Sequence, residues 1–264
     1  MKKFVLSIAL LTIIGWQTPG SEFCGSIRNT AFQNTERIDY IVFYSVMGIY
    51  INAGNASFTA NIEQMNNKPV YHVVGNGSSN TSYDWIFKVR DKYESFIDTA
   101  TLQPQKFLRD INEGGYKTYE NVTFNNKENT AVTTKGLFKV PNCVQDVISS
   151  IYYARNIDFN KYKVDDKIPF SMFLDNEVYN LYIKYLGKET IKTKYGKFDA
   201  IKFKPLLVKG TLFEGGEKMT VWVSDDANHV PLRIESPIVV GSVKVDMMGY
   251  RNLRWPFTSQ KNFR

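Results

Sequence analysis

Most of the chain after residue 36 alternates between apolar and polar residues with a period of two. This alternation is typical of strands in an antiparallel sheet that buries one face and exposes the other. Strands are predicted at Arg37–Tyr44, Ile49–Ala60, Val70–Val74, Phe107–Ile111, Lys117–Phe124, Thr130–Thr134, Val178–Leu186, Lys188–Thr193, Phe198–Lys204, Leu206–Phe213, Met219–Ser224 and Val243–Met247.

Two segments depart from this period. The first carries apolar residues at the spacing of one helix face: Val144, Val147, Ile148 and Ile151. Asn142 precedes it and Gln145 follows three residues later, which resembles a capping box and predicts the start of a helix. The second segment, Ser82–Val89, is a shorter helix candidate with Trp85 and Ile86 as its apolar residues.

The predicted elements indicate one mainly β domain over residues 21–264. No internal repeat and no Pro/Gly/Ser-rich linker divides it. Because twist accumulates in a sheet of ten or more strands, such a sheet tends to curl or close. We therefore expect a large curved antiparallel sheet or half-open barrel, with one or two helices packed on its concave face. The tail Leu253–Arg264 either docks on this domain or hangs free.

Composition narrows the function classes. With 43% hydrophobic and 22% charged residues, the 264-residue chain is not of the disordered type. The net charge is +7, yet no run of five Lys or Arg residues occurs, which argues against nucleic acid as a partner. This positive excess suits contact with anionic lipid head groups. Alternatively, it belongs to a solvated surface of mixed charge.

The first twenty residues follow the plan of a secretory signal peptide. Met1–Lys3 is positively charged, Phe4–Trp16 is apolar, and the small residues Thr18 and Gly20 precede the expected cut. The apolar run is too short to span a bilayer, and no later stretch is long enough. We expect export to the periplasm without a transmembrane segment in the mature chain.

Cys24 and Cys143 are the two cysteines of the chain. In an oxidising compartment they are a candidate disulfide, which would close a loop of about 120 residues and contribute ~4–5 kcal/mol in the chain-entropy model. Two buried, unbonded cysteines would look the same in the sequence, so both readings stay open.

Catalytic signals are sparse. His72 and His229 are the two histidines, and neither zinc, nucleotide nor nucleophile-elbow motifs occur, so no metal, cofactor or catalytic residue is predicted. A proton-transfer site of His229 with Asp225 or Asp226 is the one alternative. Turns also collect Asp and Asn for local backbone hydrogen bonds, and this explanation is favoured.

The end of the predicted helix offers candidate ligand contacts. Tyr152 and Tyr153 could wall an apolar groove in which Arg155 meets an acidic head group, with Ile148, Ile151 and Trp85 as further lining residues. Core packing with a cation at the helix C-terminus explains the same residues and is favoured.

Several segments, taken in order, resemble a family of exported Gram-negative bacterial proteins known only as a domain of unknown function. The matching segments are Val89–Ser95, Val144–Arg155, Gly196–Lys202, Val221–Asp226, Pro231–Ile234 and Gly241–Val245. The resemblance covers Asp39–Tyr250 and implies a periplasmic, mainly β protein without a known cofactor or catalytic residue. By looser analogy, the expected shape is similar to the half-barrel lipoprotein carriers of the LolA/LolB type.

Three functional hypotheses follow. In the first, the protein is a non-catalytic carrier that holds a lipid or other envelope amphiphile between the sheet and the helix. In the second, it is an envelope assembly or scaffold protein that contacts another envelope protein through a sheet edge or an exposed patch, and it has a solid core and a contiguous exposed apolar patch. In the third, it is a hydrolase built around His229.

Overall fold

The computed structural model describes residues 27–46, 49–209, 215–238 and 241–261, so the predicted signal peptide and Cys24 lie outside these ranges. One α-helix, α1 (Val147–Ala154), and short 3₁₀ turns at Thr81–Tyr83 and Phe159–Lys161 accompany fifteen strands. The strands are β1 (Glu36–Val46), β2 (Ile49–Met65), β3 (Lys68–Ser79), β4 (Val89–Asp98), β5 (Pro104–Glu113), β6 (Tyr116–Asn125), β7 (Thr130–Thr133), β8 (Gly136–Lys139), β9 (Lys167–Leu174), β10 (Glu177–Thr193), β11 (Gly196–Pro205), β12 (Thr220–Ser224), β13 (Pro231–Pro237), β14 (Ser242–Arg251) and β15 (Gln260–Lys261).

All fifteen strands belong to one antiparallel sheet. Its order is β8-β7-β6-β5-β4-β3-β2-β1-β14-β13-β12-β11-β10-β9, and β15 pairs with β11. The first eight strands form one continuous meander, and β14 then pairs with β1, so the two halves of the chain meet in the middle of the sheet. The predicted mainly β fold is confirmed.

The sheet curls around the helix. Helix α1 contacts β3 and β4 in one half of the sheet and β9 at the far end of the other half. Asp175, in the β9–β10 turn, also reaches back to β5 and β6, where Arg109 and Glu120 bind it. Within the described ranges β8 and β9 do not pair with each other, so this sheet is not closed into a barrel. The predicted curved sheet is confirmed.

The main core lies between the curled sheet and α1. Alternate residues of the strands face it, for example Val73, Phe107 and Val122, all fully buried. A second, smaller core contains Phe198 and joins the chain's C-terminal segment, because the Phe257 ring lies 5.8 Å from the Phe198 ring. Through residue 261 the tail therefore docks on the domain.

The N-cap of the helix lies four residues later than the predicted cap at Asn142. Asp146 caps it instead: its carboxylate accepts from the Ser149 backbone N–H at 2.7 Å, and Ser149 Oγ accepts from the Asp146 backbone N–H at 2.8 Å. Gln145 is held extended by backbone hydrogen bonds to Ser171 and Phe173 beside β9. Tertiary pairing with the sheet thus overrides the local capping signal.

Three other predicted elements differ from those observed in the structure. Ser82–Val89 is not a helix, since it contains one 3₁₀ turn and then enters β4. The two strands predicted on either side of Gly187 form one strand, β10, in which Gly187 (φ 94°) lies at a register shift. Of the predicted strand Leu206–Phe213, Leu207 makes an isolated bridge to Gly216, and residues 210–214 lie outside the described ranges.

Candidate functional surface

Five of the six residues predicted to line a ligand groove lie on α1 or at its C-terminal cap. Ile148, Tyr152 and Tyr153 are buried in the main core, and Ile151 packs against it. The Tyr152 ring meets the Phe32 ring edge-on at 4.7 Å, so other side chains already occupy the space beside the helix. The structure brings these residues together as core packing, and their role toward a ligand stays a prediction.

Arg155 forms a buried ion pair with Glu36 of β1. Its Nη1 and Nη2 lie 2.5 and 3.0 Å from the two Glu36 carboxylate oxygens, and its Nε donates to the Asn228 carbonyl at 3.1 Å. Burial lowers the pKa of Arg155 most strongly, but the charge and hydrogen bonds of Glu36, together with the nearby Tyr152 and Tyr40, outweigh it, and the pKa is raised. The guanidinium therefore ties the helix end to the sheet, which accounts for its burial.

His229 lies in the β12–β13 turn but not in a cleft with its acidic neighbours. Its Nδ1 donates to the Arg155 carbonyl oxygen at 2.7 Å, and burial lowers its pKa. Asp226 accepts hydrogen bonds from Ser224 Oγ and the Asn228 backbone N–H, and Asp225 pairs with Lys188 at 2.9 Å. These contacts are those of a tight turn, as the favoured interpretation predicts.

No group of three or more His, Cys, Asp or Glu residues in the described ranges is placed to hold a metal ion. Within those same ranges, no helix has the length and apolar character needed to cross a membrane.

Cys143 is buried, and Gln103 Nε2 donates to its sulfur at 3.2 Å. Because Cys24 lies outside the described residues, the disulfide between them stays a prediction.

A cavity of about 490 Å³ crosses β1 to β5 on the face that points away from α1. Small residues line the middle of this cavity, and the three cations that also line it already have ion-pair partners. Arg37 pairs with Asp39, Arg90 with Asp84 at 2.6 Å, and Lys92 with Glu94 at 2.8 Å. The cations that line the cavity are therefore already in ion pairs.

The meander gives the sheet two different ends. We call upper the end at which β1 turns into β2, β3 runs into β4, β5 turns into β6 and β7 turns into β8. At the opposite, lower end lie the β2–β3 and β12–β13 turns, together with the C-terminal tail, which packs there through Asn228 and Trp255. Connections that are far apart in the chain thus project from the same end of the sheet.

Large apolar side chains are exposed along this upper end. Trp85 is 82% exposed, and the other five are between 43 and 66% exposed. We call this set the apolar rim, and its members are Ile49, Tyr50, Trp85, Ile86, Phe87 and Tyr116. If each large side chain offers the usual 150–250 Å² in proportion to its exposure, the rim presents roughly 600 Å². A monomer's largest exposed apolar patch is seldom bigger, so the rim is a candidate binding surface.

Polar contacts fix the segment between β3 and β4 that carries Trp85, Ile86 and Phe87. At its start, Asn80 Nδ2 donates to the Asn52 carbonyl at 2.8 Å, and at its end Ser79 Oγ accepts from the Val89 backbone N–H at 2.9 Å. Both ends of the loop are thereby tied to strands, which leaves the apolar residues between them on the outside.

Phe87 also packs on the neighbouring β5–β6 hairpin. Its ring covers Gly114 so closely that a Cβ at Gly114 would lie 2.2 Å from it. Gly114 has φ +58°, a conformation that glycine adopts without steric cost. The loop and the hairpin that carries Tyr116 are therefore adjacent parts of one surface.

Beneath the rim, acidic groups turn toward the core. Asp91 shares a face with Tyr93 and Ser95, and burial together with the nearby Glu113 raises its pKa to about 7. Glu113 is itself buried. These two carboxyl groups thus turn toward the inside of the sheet.

Trp85 is the one rim residue that the sequence predicts as a site residue. The prediction places it in a ligand groove rather than on an exposed surface. The run Trp85-Ile86-Phe87 did carry a signal, because three consecutive apolar residues cannot all face one side of a strand. Ile49, Tyr50 and Tyr116 lack such a signal, since their exposure follows from their places at hairpin tips.

These observations define a mainly β protein with one curled antiparallel sheet around a single helix in the described part of the chain. The model of the DUF3108 family, proteins of unknown function, matches residues 39–248. The chain belongs to this family. The resemblance to a family of unknown function is confirmed, and no curated protein matches the chain significantly.

Two solved structures align with most of this chain. A β-barrel-like protein of the domain of unknown function DUF1849 from Brucella abortus has a TM-score of 0.53 at 6% identity, over 83% of this chain and 98% of that one. A Bacteroides fragilis protein with a YmcC-like fold, described as exported, has a TM-score of 0.31 at 12% identity, over 86% and 100% of the two chains. At such identities the first likeness concerns the fold alone.

Proposed function

We propose that this protein is a non-catalytic component of the cell envelope that acts by docking its apolar rim on another envelope component. The observation that carries the proposal is the set of six exposed apolar residues at one end of the sheet. The placement in the envelope rests on the signal-peptide pattern and on the resemblance to exported proteins.

Packing of the core favours a surface function over a carrier function. The carrier hypothesis requires a groove between the sheet and α1, but Tyr152 and Tyr153 are buried there. Arg155 already forms an ion pair with Glu36. The described cavity lies on the other face of the sheet and has no helix residue in its lining. A solid core with an exposed apolar patch matches the second hypothesis.

Native mass spectrometry of the protein, exported and purified without detergent, separates these two functions. We expect a clean protein mass, because Tyr152 and Tyr153 are buried in the core beside the helix, where a carrier would hold its cargo. A reproducible adduct that organic solvent removes, and that survives Trp85→Ser, would instead show bound cargo and overturn the proposal. Ile62→Ser, at an exposed site near the lower end, is the matched control.

A further inference from the structure

The partner that suits the rim chemically is a lipid surface. We propose that the apolar rim inserts into the interface of an anionic lipid bilayer; this inference rests on the proposed function and names its partner. Four features of the rim carry the inference: its shape, its residue types, its lysines and the placement of its acids.

In shape, the rim is a row of tips rather than a groove. Ile49 and Tyr50 lie at the β1–β2 connection, Trp85 in the β3–β4 loop and Tyr116 at the β5–β6 hairpin. A peptide or helix partner would need a groove, yet the described cavity includes none of the six rim residues. A flat, deformable partner can accept several separate tips at once.

The residue types are those found at membrane interfaces. Trp and Tyr are enriched there because an apolar ring and a polar group meet in one side chain. Trp85 Nε1 donates to the Ser82 carbonyl at 3.0 Å, so the indole polar atom is satisfied inside the loop. The ring can then enter an apolar layer without losing a hydrogen bond to water.

Lysines flank the apolar tips on the side that would face the bilayer. Lys88 follows Phe87, Lys117 follows Tyr116, and both are exposed. Lys244 Nζ lies 4.1 Å from the centre of the Tyr50 ring. Lysines beside aromatic residues place positive charge at the height of the head groups, where anionic lipids attract it.

The nearby acids do not oppose this charge. Asp84 pairs with Arg90 at 2.6 Å, and hydrogen bonds from Ser79 and then Arg90 lower the pKa of Asp84. Glu113 is buried, and Asp91 shares a sheet face with Tyr93, which packs against the main core. Next to the rim, Lys88 and Lys117 are therefore exposed while Asp84 is paired and Asp91 and Glu113 turn toward the core, which complements a negative surface.

Vesicle flotation tests the inference with the exported protein purified without detergent. The probes are vesicles of phosphatidylglycerol with phosphatidylethanolamine, and vesicles of phosphatidylcholine alone, at low and high salt. We expect at least tenfold stronger binding to the anionic vesicles at low salt. Trp85→Ser/Ile86→Ser should reduce this binding at least tenfold, and Lys88→Gln/Lys117→Gln should reduce it several-fold and remove most of its salt dependence.

Matched controls keep the test specific. Ile62→Ser and Lys127→Gln change an exposed apolar residue and an exposed lysine at the lower end, and both should bind like the wild type. Equal binding by all variants, or no binding to either vesicle, would overturn the inference. If vesicles fail to bind but a protein cross-links specifically to position 85 in cells, the proposed function stands and the partner is a protein.

Discussion

Replacing Arg155 by methionine would leave the Glu36 carboxylate buried without its partner. The Glu36 side chain is fully buried, and its two oxygens lie 2.5 and 3.0 Å from the guanidinium. Methionine keeps much of the arginine volume but removes the charge and the hydrogen bond to the Asn228 carbonyl. The substitution therefore removes the ion pair together with the Asn228 hydrogen bond and keeps most of the packing volume.

Breaking a buried ion pair from one side typically costs 3–5 kcal/mol, because the remaining charge stays uncompensated. We expect Arg155→Met to lower the free energy of unfolding by about this amount. The double variant Arg155→Met/Glu36→Leu should recover most of the loss, since an apolar pair of similar volume is often as stable as a buried ion pair. The control is Arg37→Met, whose exposed pair with Asp39 should contribute less than about 1 kcal/mol.

Denaturant unfolding followed by far-UV circular dichroism gives these free energies and the coupling between the two sites. A loss below about 1 kcal/mol for Arg155→Met would refute the structural role of the pair. So would a double variant no more stable than Arg155→Met alone. Either result would return Arg155 to the hypothesis that it binds an acidic ligand.

Three further predictions concern pH, the tail and the rim. Burial outweighs the hydrogen bonds from Ser95 and Ser149 and raises the pKa of Asp146 from 3.8 to about 7. Since the folded state then holds a proton that the unfolded chain releases, the contribution of Asp146 to stability should be greatest below about pH 4 and fall as the pH rises to 7. In urea midpoints measured across this range, Asp146→Asn, which keeps a capping side chain, should show a smaller fall; an unchanged slope would contradict the pKa. Phe257→Ala should lower the unfolding free energy by about 2 kcal/mol, because it removes a ring that packs on Phe198 and Tyr250, and no change in the denaturation midpoint would mean that the tail does not dock. Gly114→Ala should cost about 1–3 kcal/mol through strain at positive φ and displacement of Phe87, and thermal melting at wild-type temperature would disprove that packing.

The alternation of the sequence predicts much of the sheet because one face of each strand is buried. In β11, Ile201 and Phe203 face the main core while Lys202 alternates with them, and the predicted strand matches the observed one within two residues. β9 was missed because Pro169 interrupts its pattern. Proline is tolerated there because β9 ends the main path of the sheet, and its far edge makes backbone hydrogen bonds to Gln145 through Ser171 and Phe173.

The candidate surface was much less predictable than the fold. Ile49, Trp85 and Tyr116 are distant in the chain and become neighbours only through the strand order, which local patterns do not encode. The same holds for Arg155, which meets Glu36 across 119 residues of sequence. Residue type alone could not separate a ligand contact from this ion pair.

Site-specific photo-cross-linking in living cells tests most directly whether the protein acts through its apolar rim. A photoreactive amino acid is placed at Trp85 or Tyr116 in the rim, and at Ile62 or Lys127 at the lower end. The account predicts a reproducible adduct, protein or lipid, from the two rim positions and none from the two control positions. Adducts of equal yield at all four positions, or from the lower end alone, would contradict it.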